Sequence, residues 1–393
     1  MNASSERLHY MDNLRAIVMI VGVFFHAALA YSPQLHPVWM SADTVNSPLV
    51  DWVASFLHVF RMPLFFVVAG FFGALLVRQR GVGAMLKNRA LRVLLPFVIF
   101  WPLVMAAIIA PMMWAVHNVE NLPPLLEFIQ SMMANPDAPQ SPPSTVHLWF
   151  LYYLAFFYVL IWVLRQAPLG GVKRFLLDLH PMVALMVLPL CLIPGLSLAV
   201  VPYPAPESFI PQLWAFGFFG LFFVYGYWLF DSMRLLDYFE RYGWALVAMS
   251  VLLFIPLFYA FPETVTLQNA YVHPPWPERA LMVICIAYIS VFMSVACLVL
   301  ARVWLNQRNA FMRYMSDASY WIYIAHLPVV LAIQYWLLDQ PGGWFYKFSV
   351  SSLLTMAICI LSYILLVRWS PIGWLLNGKR KSLLRRAPVA SEV

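Results

Sequence analysis

Residues 11–30 read MDNLRAIVMIVGVFFHAALA, an apolar run of membrane-crossing length that carries Arg15 near its start and His26 towards its end. An ionisable side chain inside hydrocarbon costs roughly 2.5–3.5 kcal/mol on insertion scales, so its presence calls for a reason. If the run is a helix, the eleven positions between the two residues turn through three turns plus about 20° and put both on one face, roughly 16 Å apart along the axis. Arg15 then lies near one membrane surface and His26 near mid-depth. A charge at a mouth and a titratable imidazole inside read as a reaction path or a transport path.

The composition supports the membrane reading. Of 393 residues, 63% are hydrophobic and 10% charged, with a mean hydropathy of +0.77. A soluble domain carries about 25% charged residues, so the chain is expected to be an all-α integral membrane protein. Its aromatic share of 17% suits interfacial belts. Cys191, Cys285, Cys297 and Cys359 lie in apolar runs without metal-type spacing and read as small core residues, with neither a disulfide framework nor a metal site.

Apolar stretches at 13–32, 50–77, 93–115, 147–165, 181–202, 210–230, 243–261, 279–303, 319–338 and 344–367 predict about ten transmembrane helices. The connections separate by charge. One set holds Arg78, Arg80, Lys87, Arg89 and Arg92, then Lys173 and Arg174, Arg234 and Arg241, Arg308 and Arg313, and a tail with Lys379, Arg380, Lys381, Arg385 and Arg386. The other set (33–49, 116–146, 203–209, 262–278, 339–343) has no Lys or Arg. The positive-inside rule puts both termini in the cytoplasm. The net charge of +7 therefore marks topology and membrane lipid, with no nucleic-acid partner implied. No internal repeat or composition shift divides the chain, so 1–375 reads as one membrane domain and 376–393 as a basic cytoplasmic tail. Arg7, Arg15 and Ala28-Leu29-Ala30 imitate a cleavable signal peptide, but Asp12 and His26 fit one poorly and an uncleaved first span is the better reading.

Further ionisable residues fall inside the predicted spans. The second reads His58-Val59-Phe60-Arg61-Met62-Pro63, which sets Arg61 about 16 Å below the outer surface, near the depth of His26, with His58 one turn above it on the same face. An arginine that deep needs a carboxylate, an anionic ligand or a wet cavity. Either it clamps carbonyls around a Pro63 kink or it forms a positive wall of a substrate cavity. The ninth span carries Tyr323 and His326 as i, i+3 neighbours. His147 opens the fourth span at the outer interface, as a structural cap or an acceptor-recognition group. Arg89 and Arg92, one turn apart, can grip phosphate or serve as ordinary positive-inside charge. Asp12 is placed to pair with Arg15.

These residues resemble the membrane acyltransferase-3 superfamily. Met11-Asp12-Asn13-Leu14-Arg15-Ala16 followed by His26-Ala27 matches its opening Arg and His, separated by ten residues, and Arg89 and Arg92 match its Arg-x-x-Arg. Phe60 through Phe66, His147-Leu148-Trp149-Phe150-Leu151, and Ser319-Tyr320-Trp321-Ile322-Tyr323 through His326 are also similar. The five motifs span residues 7 to about 330, and together they most resemble a branch that succinylates periplasmic glucans. Ala69-Gly70 stands where many relatives have Ser-Gly, so a hydroxyl there takes no part in the chemistry. No C-terminal esterase-like domain is expected, so the membrane core completes transfer itself or hands over to a separate protein.

The resemblance implies a ten-helix, multi-pass enzyme of the bacterial inner membrane that passes an acyl group from cytoplasmic acyl-CoA to a carbohydrate hydroxyl outside. No bound cofactor is implied; succinyl-CoA or acetyl-CoA is the co-substrate. A periplasmic glycan is the acceptor, and glucan-synthesis machinery is a candidate partner. Arg15, Arg89 and Arg92 would hold the CoA phosphates, and the slender pantetheine arm would bring the thioester to His26. The imidazole would act as general base, with Arg61 or the Tyr323 hydroxyl at the oxyanion and His326 beside them. Direct attack and an acyl-His intermediate both stand open. Asp12, His58 and His147 are supporting residues. Two other classes compete: a secondary transporter using His26, Arg61 and His326 as an ion path, which lacks the repeats such proteins show, and an inert scaffold.

Overall fold

The computed structural model describes residues 9–135, 137, 142–200, 205–270 and 272–378. The basic tail beyond 378, Arg7, and several prolines of the 116–146 and 203–209 loops therefore lie outside the described residues. Those described form an all-helical assembly without strands; one bridge joins Ser144 to Ser208.

The helices are α1 (His9–Ala28), α2 (Pro48–Arg80), α3 (Val82–Arg89), α4 (Leu95–Asn118), α5 (Pro124–Ala134), α6 (Trp149–Leu164), α7 (Gly170–Asp178) and α8 (Pro181–Leu196). Next, α9 (Leu213–Ala215) runs through a π-turn (Phe216–Gly220) into α10 (Leu221–Leu229). Then follow α11 (Arg234–Phe239), α12 (Gly243–Ala260), α13 (Glu278–Trp304), α14 (Ala310–Leu337), α15 (Trp344–Ser362) and α16 (Pro371–Asn377). Each of the ten apolar stretches is helical over most of its described residues. Among the described residues, seven helical segments are long and apolar enough to cross a membrane; one of them, Pro48–Asn118, contains both the second and third stretches. The shorter apolar helices Pro181–Leu196 and Leu213–Leu229 lie within the fifth and sixth stretches.

Helices in lipid gain little from apolar burial against each other, so small residues that admit close backbone approach decide which pairs form. Gly70 of α2 lies against the Phe223 carbonyl of α10, and Gly226 of α10 lies reciprocally against the Val67 carbonyl of α2; a Cβ at either would overlap the opposing backbone. Gly70, in the Ala69-Gly70 pair singled out from sequence, is thus a packing contact.

Helices α1 and α14 run side by side in the same direction. Near their starts Arg15 Nη2 donates to Ser316 Oγ (2.6 Å); further along, His26 Nδ1 lies 3.1 Å from His326 Nε2. The intervals are eleven residues on α1 and ten on α14, so the two helices stay in register over roughly 15 Å. We refer to the end carrying Arg15, Arg89 and Arg92 as the basic end of the bundle.

Candidate active site

Three imidazoles from α1, α14 and the entry to α6 meet inside the bundle. The His26 and His326 rings stack with centroids 5.0 Å apart, and His147 packs edge-on to His326 at 5.1 Å. Two prolines prepare the neighbourhood. Pro328 in α14 has no N–H for the Ile324 carbonyl four residues back, and His147 Nε2 donates to that carbonyl at 3.2 Å. Pro63 leaves Val59 O in the same condition, and Ser290 Oγ of α13 donates to it at 2.8 Å.

The hydrogen bonds fix the tautomers. His326 Nδ1 lies 2.8 Å from Tyr323 O and 3.1 Å from Ile322 O, both acceptors only, so this nitrogen carries the hydrogen. With neutral rings, His326 Nε2 accepts from His26 Nδ1–H, and His26 Nε2 is left as a lone pair. Exposure separates the rings further. His326 is 3% and His147 5% exposed, whereas His26 is only half-buried despite its position among the helices. The ring with the unused lone pair is thus the least buried of the three.

Arg61 sits one helical turn from His26 towards the basic end. Its guanidinium lies 4.1 Å above the Phe25 ring, and a Cβ at Gly22 would meet its Nη1 at 3.0 Å. His58, one turn along α2, stacks on the same Phe25 at 6.2 Å, so the shared face read from the spacing is present. Tyr323 donates its hydroxyl to His147 O at 2.6 Å. It is engaged in holding the entry to α6.

At the basic end, Arg15 is held by Ser316, lies 3.8 Å from Asp12 and sits 5.6 Å from the Phe72 ring centroid. Arg89 closes α3 and stacks on Tyr158 at 4.8 Å. Arg92 falls in a π-turn (Ala90–Leu94), and its carbonyl accepts from the Tyr320 hydroxyl at 2.7 Å. One face of α14 thus carries Ser316, Tyr320 and Tyr323 in successive turns, leading from the arginines to His326.

His147 is buried against His326 and is not a surface cap. Val146 before it has φ +43°, a left-handed conformation that costs a β-branched residue of order 1–3 kcal/mol. Its amide is held by Ser144 Oγ, which in turn donates to Glu207, while Thr145 N donates to Glu207 O. Burial pushes the Glu207 carboxyl up from the ordinary value of 4.5, against the lowering effect of Ser144. A raised carboxyl pKa in the folded state means that its contribution is most favourable below 4.5 and is lost as pH rises from there to the raised value. Melting curves taken from acid to neutral pH should therefore show the native protein losing stability relative to Glu207→Gln as pH increases.

Sequence reasoning missed the covering loop between α1 and α2. Its Trp39 lies 6.4 Å from the His26 ring, and its indole N–H is buried without a hydrogen-bond partner among the described residues. Asp43 of this loop pairs with Lys347 of α15 at 2.8 Å, both side chains 3% exposed. A lysine three positions inside the tenth apolar stretch was the available signal for that contact.

The chain matches the Acyltransferase domain family over residues 8–364. It belongs to this acyltransferase-3 family and is a membrane acyltransferase. It is 23% identical over 394 aligned residues to glucans biosynthesis protein C of Escherichia coli (strain K12), covering 95% of each chain. The proteins of that name from Shigella dysenteriae serotype 1 (strain Sd197) and Escherichia coli O9:H4 (strain HS) are equally similar. No solved structure matches the chain.

Proposed function

We propose that this protein takes a succinyl or acetyl group from cytoplasmic acyl-CoA and transfers it to a hydroxyl of a periplasmic glycan, as a ten-span protein of the bacterial inner membrane with both termini inside. The observation that carries the chemistry is the hydrogen-bonded series from Tyr323 O through His326 to His26, which leaves the His26 Nε2 lone pair uncommitted. The distribution of Lys and Arg supports the orientation, and the relatives' name supports a glucan acceptor.

In this reading the CoA phosphates rest on Arg15, Arg89 and Arg92, and the thioester reaches the space beside His26. His26 Nε2 takes the proton of the acceptor hydroxyl as its oxygen bonds to the acyl carbon. Charge gathers on the carbonyl oxygen, with Arg61 one turn away as its counter-charge. The C–S bond breaks, and the imidazolium returns the proton to the departing thiolate, giving CoA thiol and ester. His326 holds His26 in the required tautomer. Trp39, from the opposite side, offers an aromatic face and an unused N–H to the sugar.

Purified protein in liposomes with succinyl-CoA or acetyl-CoA inside and a glucan outside tests this directly. Release of CoA thiol coupled to a gained acyl mass on the glucan is the expected result; substrate flux without thioester cleavage would overturn it. The joint variant Arg89→Gln and Arg92→Gln should raise KM for acyl-CoA by roughly tenfold or more, with a smaller change in kcat.

A further inference from the structure

Away from the imidazoles, two recesses meet at Trp228 on the far side of α10. The first, of about 250 Å³, is walled mainly by Leu176, Leu188, Leu192, Val291 and Val295, between α7, α8 and α13. Ser232 and Arg234 also line it, and two further hydroxyls in the lining, Tyr225 and Ser294, are buried without a hydrogen-bond partner among the described residues. Ser294 is 1% exposed. The second recess, of about 240 Å³, lies towards the basic end and is lined by Arg165, Lys173, Tyr227 and the start of α7 at Gly170, with Trp228 as the shared wall. Arg165 donates to the Tyr227 hydroxyl at 3.2 Å and has no carboxylate within ion-pair distance among the described residues. Lys173 is paired with Asp231.

We infer that these paired recesses hold one anionic glycerophospholipid of the leaflet at the basic end. An apolar cleft of this size does not hold water stably, and inside a bilayer the material at hand is an acyl chain. The two buried hydroxyls need acceptors, because an unsatisfied buried donor costs the desolvation of the group. Lipid ester carbonyls are such acceptors. Tyr225 lies only about 3 Å along α10 from Tyr227, so an ester beside Tyr225 puts the lipid phosphate at the level of Arg165 and Lys173. The charge complements an anion, and basic pockets between membrane helices on this side suit anionic head groups. Helix α7 has no buried residue and exposes Val172 and Phe175 beside its lysine, the character of a helix lying in the lipid interface.

Native mass spectrometry of the full chain, released from nanodiscs of phosphatidylglycerol or of phosphatidylcholine, tests the assignment. The wild type should retain one phosphatidylglycerol and little phosphatidylcholine. Arg165→Gln, a surface change that leaves the fold intact, should lower that retention by about tenfold. Leu188→Trp, which fills the cleft from a half-buried position, should abolish it. Equal retention of both lipids, retention unchanged by Arg165→Gln, or a second copy of the chain occupying the cleft would each overturn the proposal. None of these readouts depends on acyl transfer.

Discussion

Replacing His26 with alanine should reduce acyl transfer by about 10²–10⁴-fold, the usual contribution of a positioned base, with the variant still folded and inserted. The reason lies in how the lone pair is set. His326 can only donate from Nδ1, since both atoms facing it are helix carbonyls, and this forces His26 to donate from Nδ1 and accept from Nε2. His326→Leu removes the acceptor, so His26 is free to take the other tautomer and should lose activity on a similar scale. His326→Gln keeps an amide oxygen that can accept from His26 Nδ1–H and should recover part of the loss. Because the two rings act as a unit, the double variant should be little worse than His26→Ala alone. Single-turnover measurement of CoA thiol release separates these cases from altered binding. Native rates in His26→Ala would remove that residue from catalysis.

Breaking the Asp43–Lys347 pair should destabilise the protein by about 3–5 kcal/mol, because the surviving charge is left buried and unpaired. The pair does more than join two side chains. Asp43 accepts from Val45 N and its own amide donates to Ala30 O, while Lys347 also donates to Leu338 O. Together these bonds pin the loop carrying Trp39 to the turn between α14 and α15. Lys347→Met alone should lower the melting midpoint in detergent, as should Asp43→Leu alone. The combined variant should regain much of the loss, since two apolar groups replace two desolvated ions. A double variant as unstable as the sum of the singles would show that the loop is held by the charges and not by the volume they fill.

Helical class was legible in the sequence because it depends on local properties. Apart from carbonyls freed by proline, an apolar helix satisfies its backbone within itself, and a run of sufficient length reads as helix whatever its neighbours do. The alignment of Arg15 and His26 was legible for the same reason, since helix geometry relates residues of one segment. Arg61 and His58 on a shared face belong here too. The placement of His147 was not legible. Its burial depends on a carbonyl freed by Pro328 in a helix 177 residues away, and no local pattern links those positions. The Trp39 loop was read only as a connection without Lys or Arg, and its closure over His26 rests on a partner 304 residues distant.

The amino-acid order alone thus determined the helices, their apolar faces and the charge asymmetry of their connections, all consequences of bonding and solvation within one segment. Tertiary structure decided which imidazole keeps an uncommitted ring nitrogen. That choice needs His26, His326 and His147 in contact, with the tautomer of one set by carbonyls of its own helix and passed across the α1–α14 interface. Tautomer and exposure are properties of an assembled environment and not of a residue type, so they exist only once the helices have packed.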